Sequence, residues 1–204
     1  MRTNDEKLEA IKEAINKIDV GKITILTGNN AAGKSLLRKV LWNKIKKLVN
    51  DGREDRQYIW ETSMERRTSH ISDFGALSGI FRDDGWVATS YCTVNSINGL
   101  LRTDSKLKHY IVFDEPELGC GEELQLGIAN MINKKTNFFK ENNLGLLVIT
   151  HSRVIVKNTN CDTFINLEGK TKEEWLNREI VAKDLDELCK ENDSFFEYLR
   201  DHIK

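Results

Sequence analysis

An α/β fold, with a mostly parallel sheet covered by helices on both faces, is predicted by three features of this 204-residue sequence. Short apolar runs at 22–27, 110–113, 144–150 and 163–167 have the length of strands buried on both faces. Segments with apolar residues at helical spacing separate them, the alternation from which βαβ units are built. Pro116 is the only proline, so no proline-rich hinge divides the chain. A single domain over 1–204 is expected, with its core at 21–52 and 110–167. An irregular or helical subdomain at about 53–109 and C-terminal helices at 171–203 complete it.

Taken in order, Thr3-Asn4-Asp5-Glu6 has the spacing of a capping box, and Leu8, Ile11, Ile15 and Ile18 follow at helical intervals. That helix is expected to end near Val20-Gly21. KITILT, from Lys22 to Thr27, is a short buried strand that runs into a glycine loop. Leu36, Leu37, Val40, Leu41, Ile45 and Leu48 then form an apolar helical stripe, stopped by Asn50-Asp51-Gly52. Residues 53–109 are rich in Arg, Ser, Thr, Asp and Gly, with helical character near Ser96 to Leu101. A strand at Tyr110 to Phe113 precedes a helix from about Glu122 to Lys140, with Leu124, Ile128, Met131 and Ile132 on one side. Leu144 to Thr150 and Thr163 to Leu167 are the remaining strands. Thr171-Lys172-Glu173-Glu174 repeats the capping-box spacing before Trp175, and one or two amphipathic helices carry Leu185, Leu188, Phe195, Phe196 and Leu199.

Composition narrows the function classes. With 39% hydrophobic and 31% charged residues, the chain can bury a core and stay well hydrated. Its apolar runs are too short to span a bilayer, and MRTNDEKLEA lacks a signal-peptide centre. Cys92, Cys120, Cys161 and Cys189 form no C-x-x-C pair, which suggests neither a zinc site nor a disulfide framework. A cytoplasmic setting is expected. A net charge of −1 does not mark the whole chain as a nucleic-acid binder. Arg66-Arg67, flanked by hydroxyls in TSMERRTSH, could meet a phosphate or an acidic partner, or lie in an exposed loop.

GNNAAGKS, from Gly28 to Ser35, follows a strand and opens a helix, the context in which a Gly-x-x-x-x-Gly-Lys-Ser loop holds phosphates. Backbone N–H groups of Asn30 through Ser35 point at a β-phosphate there, helped by the positive helix end. Lys34 reaches the β- and γ-phosphates, and the Ser35 hydroxyl takes one position on Mg²⁺. Asn29, Asn30, Ala31, Ala32, Gly33, Lys34, Ser35 and Leu36 are therefore the expected phosphate-binding residues. In YIVFDEPELG, Asp114 emerges at a strand's carboxyl end, beside the glycine loop if the two strands are neighbours. It would hold Mg²⁺, and Glu115 would activate the attacking water. In LLVITHS, His151 leaves another strand on the same edge, suited to a γ-phosphate contact.

GNNAAGKS, the strand before Asp114-Glu115-Pro116-Glu117, and the strand before Thr150-His151-Ser152 together resemble the Walker A, Walker B and switch-histidine elements of an ABC-type P-loop ATPase. The resemblance covers about Gly21 to Leu167 and is nearest the small soluble SMC/RecF-like, AAA-labelled branch. It implies ATP and Mg²⁺ as cofactors and hydrolysis between two head-to-tail chains, as an ATP-dependent homodimer or heteromer. A nucleic acid or effector protein is the implied partner. The family's signature segment is absent as such. Ser90 in ATSYCTVNSINGLL is preferred as its serine over Ser78 in GALSGIF, and Gln57 is the default Q-loop residue. LGCGEE lacks the aspartate usual after Walker B. These departures leave open a nucleotide-dependent switch with little hydrolysis. A transporter motor fits less well, because no aromatic occurs in residues 1–27. Asn133-Lys134 lacks the aspartate of a guanine motif and lies mid-helix.

Overall fold

The computed structural model of the chain describes residues 3–28, 41, 59–62, 89–102, 110–182 and 184–202. Helix α1 (Asn4–Lys17) opens with a complete capping box: Glu6 N donates to Thr3 Oγ1, and Thr3 N donates to the Glu6 carboxylate. It ends at Lys17 rather than near 20–21, and Gly21, at φ +70°, turns the chain into strand β1 (Ile23–Thr27). Strand β2 (Ile59–Thr62), helix α2 (Thr89–Arg102), strand β3 (Tyr110–Asp114) and helix α3 (Glu122–Glu141) come next. They are followed by β4 (Gly145–Ile149), α4 (Arg153–Asn158), β5 (Thr163–Asn166), α5 (Lys172–Leu176) and α6 (Leu185–His202).

The five strands form one sheet in the order β2-β3-β4-β1-β5, and every neighbouring pair is parallel. Alternate residues of each strand face opposite sides, and the core divides accordingly. Leu26, Tyr110, Val112, Leu147, Ile149 and Ile165 pack with Ile11, Ala14, Ile15 and Ile18 of the amino-terminal segment and Phe195 of α6. Ile23, Ile25, Ile111, Phe113, Leu146 and Val148 pack on the other face with residues of α2, α3, α4 and α5. This two-sided burial is why the strands read as continuous apolar runs rather than alternating ones.

Several expectations are corrected. β1 and β3 are not neighbours, because β4 lies between them. The range 53–109 is not set wholly apart from the sheet: Ile59–Thr62 pairs with Tyr110–Phe113 as the edge strand β2. IWET carries too short an apolar run to announce itself, and only its pairing with β3 makes it a strand. α2 begins at Thr89, well before Ser96. In α3, Ile128, Ala129, Ile132 and Phe139 form the buried stripe, whereas Leu124 is exposed.

The direction of the connections matters for the site. From β2 through β5 the chain steps toward the β5 edge, and its connecting helices α2, α3 and α4 cover one face. From β1 it runs the opposite way to β2, and Leu41 in that connection is buried on the other face, with α1. Right-handed crossovers in opposite directions must lie on opposite faces. The connections leaving β1 and β4 therefore part at the carboxyl ends of two adjacent strands, where open α/β sheets form a ligand crevice.

Candidate functional site

Gly28, Asp114-Glu115 and Thr150-His151 leave the same edge of the sheet. The register pairs Asp114 with Ile149, Leu26 with Ile149, and Thr27 with Asn166. The ladder continues one step past the strands: Glu115 N donates to Ile149 O at 2.8 Å, and Thr150 N donates to Leu26 O at 3.0 Å. At the usual strand spacing, the β1 and β3 tips stand roughly 10 Å apart, with the β4 tip between them. A ligand lying along this edge can meet all three.

Glu115 and His151 face each other there. His151 Nε2 lies 3.5 Å from Glu115 Oε1, and their side chains are 33% and 36% exposed, so both can be reached from the crevice. Glu115 adopts φ +50°, a left-handed conformation uncommon for a residue with a side chain, and it turns the chain sharply off β3. Leu118 N bonds back to Glu115 O and Cys120 N to Glu117 O, closing the turn before α3.

Glu117 lies in that turn and joins the two strand tips. Its Oε2 accepts the Thr150 hydroxyl at 2.8 Å and its Oε1 accepts His151 N–H at 2.7 Å. Ser152 N donates to Thr150 Oγ1, the Ser152 hydroxyl donates to Gln125 Oε1, and Gln125 Nε2 donates to Cys120 O. Ser152 Oγ also caps α4 by accepting from Ile155 N. Burial pushes the Glu117 carboxyl above its ordinary pKa, and the neighbouring Glu115 adds to this; the donors from His151, its own backbone and Thr150 pull the other way. Glu117 appears in the sequence only as the last letter of Asp-Glu-Pro-Glu. Its role is not legible there, because it depends on Thr150 being across the sheet edge.

The β1 tip is braced from its other side. Thr27 Oγ1 donates to Ile165 O and accepts from Asn166 Nδ2, while Asn166 Oδ1 takes the N–H groups of Glu168 and Lys170. Thr27 and Asn166 were not singled out from the sequence either. The available signal was a polar residue closing an apolar strand run, and Thr150 carries the same signal. All three are buried.

α2 starts at the same edge: Thr93 Oγ1 donates to Leu118 O of the turn after β3. Ser90 precedes Thr93 by three residues, on the adjacent turn of the same helix face, and is half-buried. Asn29, Asn30, Ala31, Ala32, Gly33, Lys34, Ser35, Leu36 and Gln57 lie outside the described residues, as do Ser78, Arg66 and Arg67. Asn133 is engaged structurally: its side chain donates to Asn158 O and accepts Asn160 N, tying α3 to the α4–β5 turn.

Among the described residues, no group of three or more His, Cys, Asp and Glu is arranged to hold a metal alone. Asp114, half-buried at the end of β3, is a hard oxygen donor. That chemistry suits Mg²⁺, which binds by one or two protein groups together with phosphate oxygens rather than in an all-protein cage. No helix among the described residues is long and apolar enough to cross a membrane.

No protein-family model matches the chain, and no curated protein matches it. Solved structures similar to it include Cdc6p from Pyrobaculum aerophilum, at 13% identity and TM-score 0.40, with 80% of this chain and 44% of that one covered. PCH-2 from C. elegans is similar at 15% identity and TM-score 0.36, covering 80% of this chain and 41% of that one. The Pif1 helicase from Candida albicans is similar at 11% identity and TM-score 0.37, covering 82% and 40%. The chain spans less than half the length of each, and likenesses this distant carry no argument about its activity.

Proposed function

We propose that the chain is a Mg²⁺-dependent ATPase of the P-loop class, ABC-like in its motif order, whose ATP-driven dimerisation is coupled to a nucleic acid or partner protein. The observation that carries this is the meeting of β1, β3 and β4 at one sheet edge, with Glu115 and His151 3.5 Å apart beside the strand that feeds the glycine loop. In this reading the loop from Asn29 to Leu36 wraps the phosphates, and Lys34 neutralises the β- and γ-groups. Ser35 and Asp114 hold Mg²⁺, which offsets charge on the phosphate oxygens. Glu115 takes a proton from the attacking water as its oxygen bonds the γ-phosphorus and the bond to the ADP oxygen breaks. His151 donates to the γ-phosphate. Ser90 belongs to the contacts made across a dimer, and Gln57 is the Q-loop residue.

The test is Glu115→Gln. ATP binding should persist, hydrolysis should fall by about a hundredfold or more, and size exclusion with ATP·Mg²⁺ should show a dimer absent without nucleotide. Unchanged phosphate release removes Glu115 from the mechanism. The degenerate segment around Ser90 favours one second reading, a nucleotide-dependent switch, which fits if purified wild type binds ATP tightly but does not turn it over.

A further inference from the structure

Glu117 is not used by the chemistry above, yet both of its carboxylate oxygens are engaged at the site. Its two carboxylate oxygens receive donors from consecutive residues, the Thr150 hydroxyl and the His151 N–H, and His151 bears the imidazole that faces Glu115. Glu117 follows Glu115 by two positions, after the left-handed turn at Glu115, so one short loop presents one carboxylate to the imidazole and another to its backbone. The β4 side of the contact is held in turn. Ser152 N bonds Thr150 Oγ1, and Ser152 Oγ reaches Gln125, which ties it to Cys120 O in the same loop.

We propose that Glu117 is a positioning residue: by clamping Thr150 and His151 N–H to the Glu115 turn, it holds the His151 imidazole in place for the γ-phosphate. This rests on the hydrolytic function proposed above. A carboxylate is needed for the task because it offers one acceptor oxygen to each donor. A glutamine of the same shape has one acceptor and one NH₂ group. Its NH₂ must face either the His151 N–H, donor against donor, or the Thr150 hydroxyl, which must then give up its own donation to position 117 and accept a second bond beside that from Ser152 N. One arm of the clamp is therefore lost or rearranged without removing volume. Misplacing a phosphate-contacting group by about an ångström can cost on the order of a hundredfold in rate.

Glu117→Gln tests this with two readouts. In nucleotide-free protein, amide exchange at 150–152 should quicken while exchange in the sheet interior stays the same. In steady-state hydrolysis, kcat should fall about tenfold or more, with KM and the separately measured ATP Kd changed less than about twofold. In a His151→Ala background, Glu117→Gln should cost nothing further, because the residue acts through the imidazole. A generally weakened fold predicts instead the same fractional loss in both backgrounds. If Glu117→Gln does not fold, Thr150→Val cuts the hydroxyl arm of the clamp together with the Ser152 N bond and takes the same measurements, with Thr150→Ser expected to restore them. Unchanged exchange at 150–152, unchanged kcat in a protein that hydrolyses ATP, or multiplicative losses with His151→Ala overturn the proposal. If wild type binds ATP without hydrolysing it, the ATPase function fails on its own. The clamp is then judged by exchange, and unchanged exchange overturns it.

Discussion

At Glu115 the backbone takes φ +50°, a left-handed conformation that costs an ordinary L-residue about 1–2 kcal/mol. The Glu115 N–H to Ile149 O bond helps hold it there, and the half-buried carboxylate beside His151 is the result. Glu117 shows the reverse balance. Its folded-state pKa is raised, first by burial, so its ionised form is less favourable in the folded than in the unfolded chain. The stability it contributes is therefore fully present below the unfolded-state value of about 4.3. It is lost as pH rises through the higher folded-state value. Glu117→Gln removes this titration. Urea unfolding of wild type and variant across the acid range should show the wild type losing stability relative to Glu117→Gln as pH increases. A difference that stays level with pH would remove the burial penalty from the account.

Gly145 shows how an element depends on one missing methyl group. It starts β4 opposite Tyr110 of β3, and a Cβ placed there would lie 1.9 Å from the Tyr110 ring. The ring is fully buried and cannot swing into solvent. Gly145→Ala is expected to destabilise the fold by about 1–3 kcal/mol, as overpacking does in a tight core. The urea midpoint should fall with little change in slope. The site lies at the other end of β4, so ATP affinity of the folded variant should be close to wild type. At the carboxyl side of the chain, α5 is only Lys172–Leu176, yet it has its own capping box from Thr171 and Glu174. Trp175 is buried in its second half, with the Arg178 guanidinium 3.6 Å from the ring centre. So short a helix has little stability of its own; the cap and the tryptophan hold it against β5.

For the molecule as a whole, the opposed directions of the β1 and β4 connections place the crevice between the two core faces. A nucleotide seated there would touch β1, β3 and β4 at once and tie them together. Anything that binds only the folded chain raises its stability by mass action, about 2.7 kcal/mol at a hundredfold excess over Kd. Thermal unfolding of wild type should therefore shift upward with ATP·Mg²⁺ and less with ATP in the presence of a chelator. Lys34→Ala should lose most of that shift while melting normally without nucleotide. An equal shift in Lys34→Ala would move nucleotide binding away from the glycine loop.

Strands β1, β3, β4 and β5, both capping boxes, and the exit of Asp114, Glu115 and His151 from strand ends are legible in the order of residues alone. Each of these is set by local periodicity or by partners three residues apart. The separation of β1 from β3 by β4, the strand at Ile59–Thr62, and the bonds from Thr150 and His151 to Glu117 emerge only when the elements pack together. An edge strand gains its hydrogen bonds from a neighbour some fifty residues along the chain. The clamp likewise joins residues 33 and 34 positions apart. Neither leaves a periodic trace in the sequence, because long-range pairing is specified by the packing of whole elements and not by their local spacing.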